Sequence, residues 1–417
     1  MDMRKCAALA LSAALLAAPA YADGFAVYET SARGVGMGGA MMFSDEASAQ
    51  AMNPAAITQF GYKGTFSGAV TYIAPRGYAD FYQGGSVSLT QHNKNDPAYV
   101  PSLFYAKRVS HNGWFGMGLY ARFGLKSSYD PGWYGRFSNR SADFLSYSIA
   151  PTYAIKLTPN LSMGVGVELM YSKLVFDKSL NSFAALGISE VPMDLDADSW
   201  GWGWNVGLLW NSGKKLSLGA TYRSEVKQSL DGDINLSTGY FGDISTTGSG
   251  DVHLPESVTI GLGWKFDENT RMEIDAIWTE WSSYDKLAIA MRVPSAYQAL
   301  FGTTLNSVEY KYWSDGWRYQ FGIERRINDR WSVRCGFVWD ECSSELADYA
   351  DYMVPTGTRR TYTVGASYRV KNVEYSFGYG YMTVGGKWIN NSGANGENSR
   401  SRGCDSHIIS IGARVDF

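Results

Sequence analysis

The chain has 417 residues, with 37 basic against 40 acidic side chains and a formal net charge of -3, a near balance that offers no electrostatic footprint for a nucleic-acid partner. Aromatic residues make up 15% and hydrophobic residues 45% of it, with 46 glycines and a mean hydropathy of -0.21. Beyond the N-terminus no run of about 18 apolar residues occurs, which excludes helices that cross a bilayer. The mixture fits a transmembrane β-barrel, whose strands alternate lipid-facing apolar and lumen-facing polar residues between two aromatic girdles.

In chain order, residues 1–22 read as a signal peptide: Arg4 and Lys5 precede an apolar stretch from Ala7 to Ala18, and Ala20-Tyr21-Ala22 supplies a small-x-small cleavage site. The mature chain is then expected to begin at Asp23, exported to the cell outer membrane. Residues 23–60 are rich in Gly, Ala, Met and small polar residues, contain Asn53-Pro54-Ala55, and lack strand alternation. They are predicted to form a hatch inside the lumen. Gly34 to Gly39 satisfies G-x-G-x-x-G, but no strand precedes it and no βαβ unit surrounds it, so a dinucleotide fold is rejected.

Residues 61–417 are predicted to form the barrel itself, all-β and antiparallel, with about fourteen strands. Tight-turn signals at residues 110–113, 158–160, 211–214, 267–269, 328–329 and 371–372 separate alternating segments. Longer stretches near 77–97, 128–140, 178–196, 231–247, 284–307, 343–356 and 389–401 read as external loops. In the segment from Phe115 to Arg122, one face carries Phe115, Met117, Leu119 and Ala121, the other Gly116, Gly118, Tyr120 and Arg122. The last strand places Ser410, Gly412, Arg414 and Asp416 on its polar face and ends in Phe417, an aromatic resembling the signal that barrel-assembly machinery reads. A barrel of this width leaks small solutes unless something fills it, which is the physical reason for a hatch. Asn53 is expected to hold the hatch near the freed backbone of a kinked strand while Pro54 stiffens the turn; a lone surface Asn-Pro turn is the alternative. Apolar residues Leu287, Ile289, Met291, Tyr297, Leu300 and Phe301 in the 284–307 stretch suit either an exposed groove or a small loop core.

No enzyme is expected. G-x-S-x-G is absent, and His92, His111, His253 and His407 are scattered with no metal-ligand spacing, so neither a metal nor a cofactor is called for. Cys6 leaves with the leader; Cys335, Cys342 and Cys404 remain, with a Cys342–Cys404 bridge and free thiols both open.

The run from Asp23 to Ala40, then Asp45-Glu46 and Asn53-Pro54-Ala55, resembles the N-terminal hatch of the FadL/TodX family of outer-membrane transporters for long-chain fatty acids and hydrophobic compounds. Val100-Pro101, Tyr120 to Leu125 and Tyr171-Ser-Lys173 continue the likeness over the mature chain. The resemblance implies passive transport of a hydrophobic small molecule by loop capture, lumen binding and lateral release through a kinked third strand. Phe123 and Gly124 are where that kink is expected, a wall glycine crowded by the hatch being the alternative. Asp23, Gly24 and Phe25 are expected at the ligand, Phe183, Leu186 and Ile188 along an external groove, and Lys173 as a lumen-facing cation for a head group. Outer-membrane lipid and lipopolysaccharide are the expected surroundings. No second basic partner matches, which leaves neutral aromatic hydrocarbons open as substrates; a general porin or adhesin is the reading outside this class.

Overall fold

The computed structural model describes residues 24–181, 189–239, 242–298, 303–344, 346–354 and 357–417. Its wall is one closed antiparallel sheet of 14 membrane-crossing spans. Those spans are built from β1 (Gly64–Gln83), β2 (Ser86–His92), β3 (Ala98–Arg108), β4 (Gly113–Tyr120), β5 (Gly124–Ser128), β6 (Ser141–Lys156), β7 (Leu161–Leu180), β8 (Val191–Asn211), β9 (Leu216–Arg223), β10 (Val226–Ser237), β11 (Asp243–Leu254), β12 (Ser257–Lys265), β13 (Thr270–Thr279), β14 (Lys286–Arg292), β15 (Thr304–Tyr310), β16 (Gly316–Arg326), β17 (Trp331–Asp340), β18 (Arg359–Val370), β19 (Val373–Val384), β20 (Trp388–Ile389) and β21 (Ser399–Asp416). Five spans are broken in two: β4 and β5, β9 and β10, β11 and β12, β13 and β14, and β15 and β16 share a span each. The sheet closes where β21 pairs with β1, from Thr65 opposite Asp416 outward.

Alternation decides which face is which. On β4, Phe115, Met117 and Leu119 are exposed toward lipid while Trp114, Gly116, Gly118 and Tyr120 are buried inward. Ala121 departs from the expected pattern: it is buried, because the strand breaks there and its side chain turns in. On β21, Ile409 and Ile411 face out while Ser410, Arg414 and Asp416 are buried. The short turns gather at one mouth, where Asn160, Gly213, Asp267 and Asn328 line a vestibule of about 1020 Å³. At the other end several expected loops are strands instead. Residues 231–237 and 243–247 belong to β10 and β11, and 286–292 and 304–307 to β14 and β15, so the barrel rises well past its apolar band. No disulfide joins Cys335, Cys342 or Cys404 among the described residues.

Residues 24–60 lie inside this wall. Helix α1 (Ala32–Gly36) is capped by the Ser31 hydroxyl, which accepts from the Gly34 amide at 3.0 Å. Two 3₁₀ turns follow, Ala47–Ala51 and Pro54–Thr58, the second capped by Asn53, whose Oδ1 accepts from the Ala55 amide at 2.8 Å. The Asn53 amide then donates to Leu208 O at 3.0 Å and Ala220 O at 3.3 Å, clipping the segment to β8 and β9. This corrects its expected position: Asn53 sits against paired wall strands, away from the broken third span. Its contact demands bare backbone opposite. A Cβ on Gly207 would lie 2.1 Å from Asn53 Oδ1, and one on Gly164 2.4 Å from the Ala55 nitrogen.

A second anchor is ionic. Arg33 of α1 meets Asp45 at 2.6 Å and Glu324 of β16 at 2.7 Å, while Arg414 of β21 meets Asp45 at 3.1 Å. Arg271 and Arg334 also reach Glu324 from β13 and β17.

Filling the glycine notch tests how far the clip holds the segment in place. Gly207→Leu is expected to expel the Asn53 turn from the wall, raising conductance in planar bilayers and exposing residues 24–60 to protease. Unaltered conductance and protection would contradict the close approach.

Candidate functional site

The third span is where the wall fails. β4 pairs with β6 as far as Tyr120 opposite Ser148, and β5 resumes with Gly124 opposite Leu145. Residues 121–123 therefore face only residues 146–147, a one-residue excess that bends the strand as a bulge does. On its other edge β3 pairs with β4 only from Leu103 to Arg108, leaving residues 98–102 with no partner on the β5 side. Ser146 repairs part of the broken ladder: its hydroxyl accepts from the Phe123 amide at 2.9 Å and donates to Phe123 O at 2.7 Å. The N-terminal segment repairs the rest. Val27 N–H donates to Arg122 O at 2.8 Å and Gly124 N–H to Phe25 O at 2.9 Å, around a bridge between Ala26 and Phe123. Phe123 and Gly124 thus stand at the break, and Gly24 and Phe25 stand against them.

Phe25 is held by five aromatic rings. Its centroid lies 5.9 Å from Phe123, 5.6 Å from Phe144, 5.2 Å from Trp281, 5.5 Å from Tyr284 and 6.1 Å from Trp313. Gly24 must be glycine here, since a Cβ would fall 2.4 Å from Trp313 and 2.6 Å from Trp281. Beyond this cage an apolar chamber climbs the lumen, walled by Met170, Leu174, Phe176, Met193, Leu195, Leu230, Ile234 and Met353 among others. Leu287, Ile289 and Met291 belong to it: they face inward from β14 and form neither an exposed groove nor a loop core. A separate aromatic cluster, in which Trp133 stacks on Tyr129 at 3.9 Å and meets Tyr352 at 5.1 Å, packs the external loops together.

Beneath the cage sits buried charge that the sequence reading missed. Glu168 of β7 is fully buried and receives Arg223 at 3.0 Å, Arg122 at 3.3 Å and the Ser148 hydroxyl at 2.5 Å. Arg223 also donates to Tyr120 Oη at 2.9 Å and Ala51 O at 2.7 Å. Arg122 donates to Ser224 O at 3.3 Å and Pro255 O at 3.0 Å, carbonyls at two other wall breaks. A void of about 60 Å³ adjoins these arginines, Met52 and Phe123. A lone carboxylate between outward Val167 and Leu169 was the available signal, since alternation turns it into the lumen.

The expected head-group cation is corrected. Leu174 lines the chamber, so its neighbour Lys173 points outward, where it pairs with Asp196 at 2.9 Å. Two other lysines reach the chamber's edge. Lys178, between Phe176 and Leu180, and Lys311, just before Trp313, have side chains 7% and 3% exposed. Lys311 meets Glu309 at 3.1 Å and Asp351 at 2.5 Å, and Lys178 also binds Glu309. This cluster lies beyond the apolar band, on the external β14–β15 hairpin and the loop that carries Asp351. Burial by itself raises a carboxyl, but Lys311 and Lys178 outweigh it and hold Glu309 at about 2, below its ordinary 4.5. Asp23, Phe183, Leu186 and Ile188 lie outside the described residues.

Two measurements follow from this charge. Glu168→Ala strands two buried guanidinium groups and is expected to destabilise the barrel by about 3–5 kcal/mol in urea unfolding, Glu168→Gln by less. A loss near zero would show the cluster to be solvated. With the Glu309 value depressed in the folded state, its stabilisation is complete above about pH 4.5 and disappears as pH falls through about 2. Protease protection of the 346–354 loop is accordingly expected to fall across that window; protection retained to pH 2 would contradict it.

Comparison with known proteins places this geometry. The family model described as "Outer membrane protein transport protein (OMPP1/FadL/TodX)" matches residues 13–417. The long-chain fatty acid transport protein of Escherichia coli O6:H1 is 25% identical, over 90% of this chain and 90% of its own. Among solved structures, a Pseudomonas aeruginosa FadL homologue superposes with a TM-score of 0.82 at 20% identity, covering 95% of this chain and 100% of its own. The Pseudomonas putida toluene transporter TodX does so with a TM-score of 0.74 at 16% identity, covering 93% and 98%. The chain belongs to the OMPP1/FadL/TodX family of outer-membrane transport proteins, and is a β-barrel transporter of hydrophobic substrates rather than an enzyme.

Proposed function

We propose that this barrel carries long-chain fatty acids passively across the outer membrane, with the carboxylate received at Lys311 and Lys178 and the acyl chain in the apolar chamber. The observation that carries the reading is the juxtaposition of two buried ammonium groups with a wall of Leu180, Trp313 and Tyr284. Each methylene withdrawn from water contributes about 0.8 kcal/mol, so the chain supplies most of the affinity and the lysines select the head group. The cluster is charge-balanced at rest. A ligand carboxylate therefore takes the place of Asp351, the partner on a loop, leaving the Glu309 contacts intact. The name of the Escherichia coli relative supports the same substrate class.

In this reading the ligand displaces Phe25 from its five-ring cage, residues 24–27 leave the broken third span, and the ligand exits sideways between β3 and β5. Residues 23–60 act as the hatch, fastened at Asn53-Pro54-Ala55, and Phe123 and Gly124 form the gate. Lateral exit suits an apolar solute, which in the aqueous periplasm would recover its full hydration cost. The aromatic cage favours a second reading, in which this barrel carries neutral aromatic hydrocarbons; TodX, of the same fold, is a toluene transporter.

Uptake of labelled oleate and labelled toluene by cells lacking their own transporter separates the two. Oleate uptake that falls about tenfold in Lys311→Ala, with toluene unaffected, is the expected result. Toluene uptake alone would replace the fatty-acid reading, and uptake of neither would remove both.

A further inference from the structure

The wall is open in a second place, on the seam between the β11–β12 span and the β13–β14 span. The lower ladder ends at Ser257 opposite Thr279, with one more bond from Glu280 N–H to Glu256 O at 3.1 Å. The upper ladder consists of two pairs, Gly248 with Met291 and Ser249 with Ala290. Between them residues 250–255 face residues 281–289, and no backbone hydrogen bond among the described residues joins the two sides. The strands would remain in register, yet they part. The longer side is taken up by the 3₁₀ turn Trp281–Ser283, which swings Trp281 inward onto Phe25.

Outside this parting lies a crevice of about 1050 Å³. Its rim is polar, with Asp251 and His253 on one side and Ser283, Asp285 and Lys286 on the other, while Leu230, Ile289 and Val308 supply apolar wall. Just below, β12 presents Ile260 and Leu262 to lipid, so the crevice opens at the outer edge of the apolar band. Unpaired backbone is tolerated there because water and head groups reach it; deeper in the hydrocarbon it would not be. The partition behind the crevice is one residue thick. Leu230, Ser249, Gly250, Ala288 and Ile289 line both the crevice and a small void on the chamber side, whose other walls are Leu174, Leu195, Ala197, Val252 and Leu287. Gly250 lets the strands touch without pairing, since a Cβ there would lie 2.4 Å from Ala288 O.

We infer that this parting is a second lateral portal, through which the chamber exchanges hydrophobic ligand with the outer leaflet at head-group level. It differs from the opening at the third span in position and in its seal: that gap is stopped by the N-terminal segment, this one by the contact of Gly250 with Ala288. An amphiphile lying in the outer leaflet meets an apolar wall for its chain and a polar rim for its head. The inference rests on the chamber being a ligand site, and the test separates the two claims.

The full-length barrel, carrying Cys335→Ser with Asp251→Cys and Ser283→Cys, is reconstituted in lipid nanodiscs and bridged across the crevice with a bismaleimide. Dansylaminoundecanoic acid serves as the probe, read both as occupancy at equilibrium and as the rate of exchange with lipid. Bridging is expected to slow exchange about tenfold relative to either single cysteine labelled with a monofunctional maleimide, with occupancy unchanged. Ala288→Trp, which fills the crevice without a cross-link, is expected to slow it likewise. Exchange unaffected by both modifications, with the probe still bound, overturns the portal alone. Failure of the unmodified barrel to bind the probe overturns the chamber reading and the portal with it.

Discussion

A backbone crossing hydrocarbon must pair every N–H and C=O within protein, and the breaks in this wall are where that demand becomes visible. A continuous ladder would meet it without help. Five interrupted spans do not, and each interruption recruits something else. At the third span the substitutes are the Ser146 hydroxyl and the backbone of residues 25–27. At Ser224 and Pro255 the Arg122 guanidinium takes the orphaned carbonyls. Near Asp285 the carbonyl accepts from the Lys311 amide at 2.7 Å. The breaks converge on one level of the barrel, and the aromatic cage, the buried arginines and both wall openings are found there together.

The buried charge follows from the same demand. Arg122 reaches its carbonyls only by bringing a full positive charge into the lumen, and a charge so placed must be matched. Glu168 matches it together with Arg223, whose remaining donors take Tyr120 and the Ala51 carbonyl. The wall, its bulge and the N-terminal segment are in this way joined through one carboxylate. The Arg33, Asp45, Glu324 and Arg414 network does comparable work nearer the vestibule, uniting α1 with three wall strands.

Much of the fold was legible because period-two alternation is a property of neighbours in sequence. Phe115, Met117 and Leu119, or Ile409 and Ile411, declare the lipid face unaided, and tight turns such as Asn211 to Lys214 mark one end. Alternation fails where a strand breaks, which is why Ala121 turned inward against expectation. It also weakens where a strand leaves the membrane: the outward residues of β10, such as Lys227, Ser229 and Asp231, are polar, so strand and loop looked alike. The site was less legible. Trp281, Trp313, Phe144 and Phe25 are far apart in sequence, and only barrel closure brings them around one point. Lys173 was chosen over Lys178 on likeness, although both stand on β7 and the spacing of five residues places them on opposite faces.

The fastening at Asn53 bears on how the cell keeps its permeability barrier. That residue and the Phe25 end of the segment are held by different parts of the wall, the former by β8 and β9 and the latter by the broken span and its cage. Motion at one end need not propagate to the other. An oily molecule can then slip out through the flank while the axial route, the one open to water, ions and hydrophilic toxins, stays stoppered.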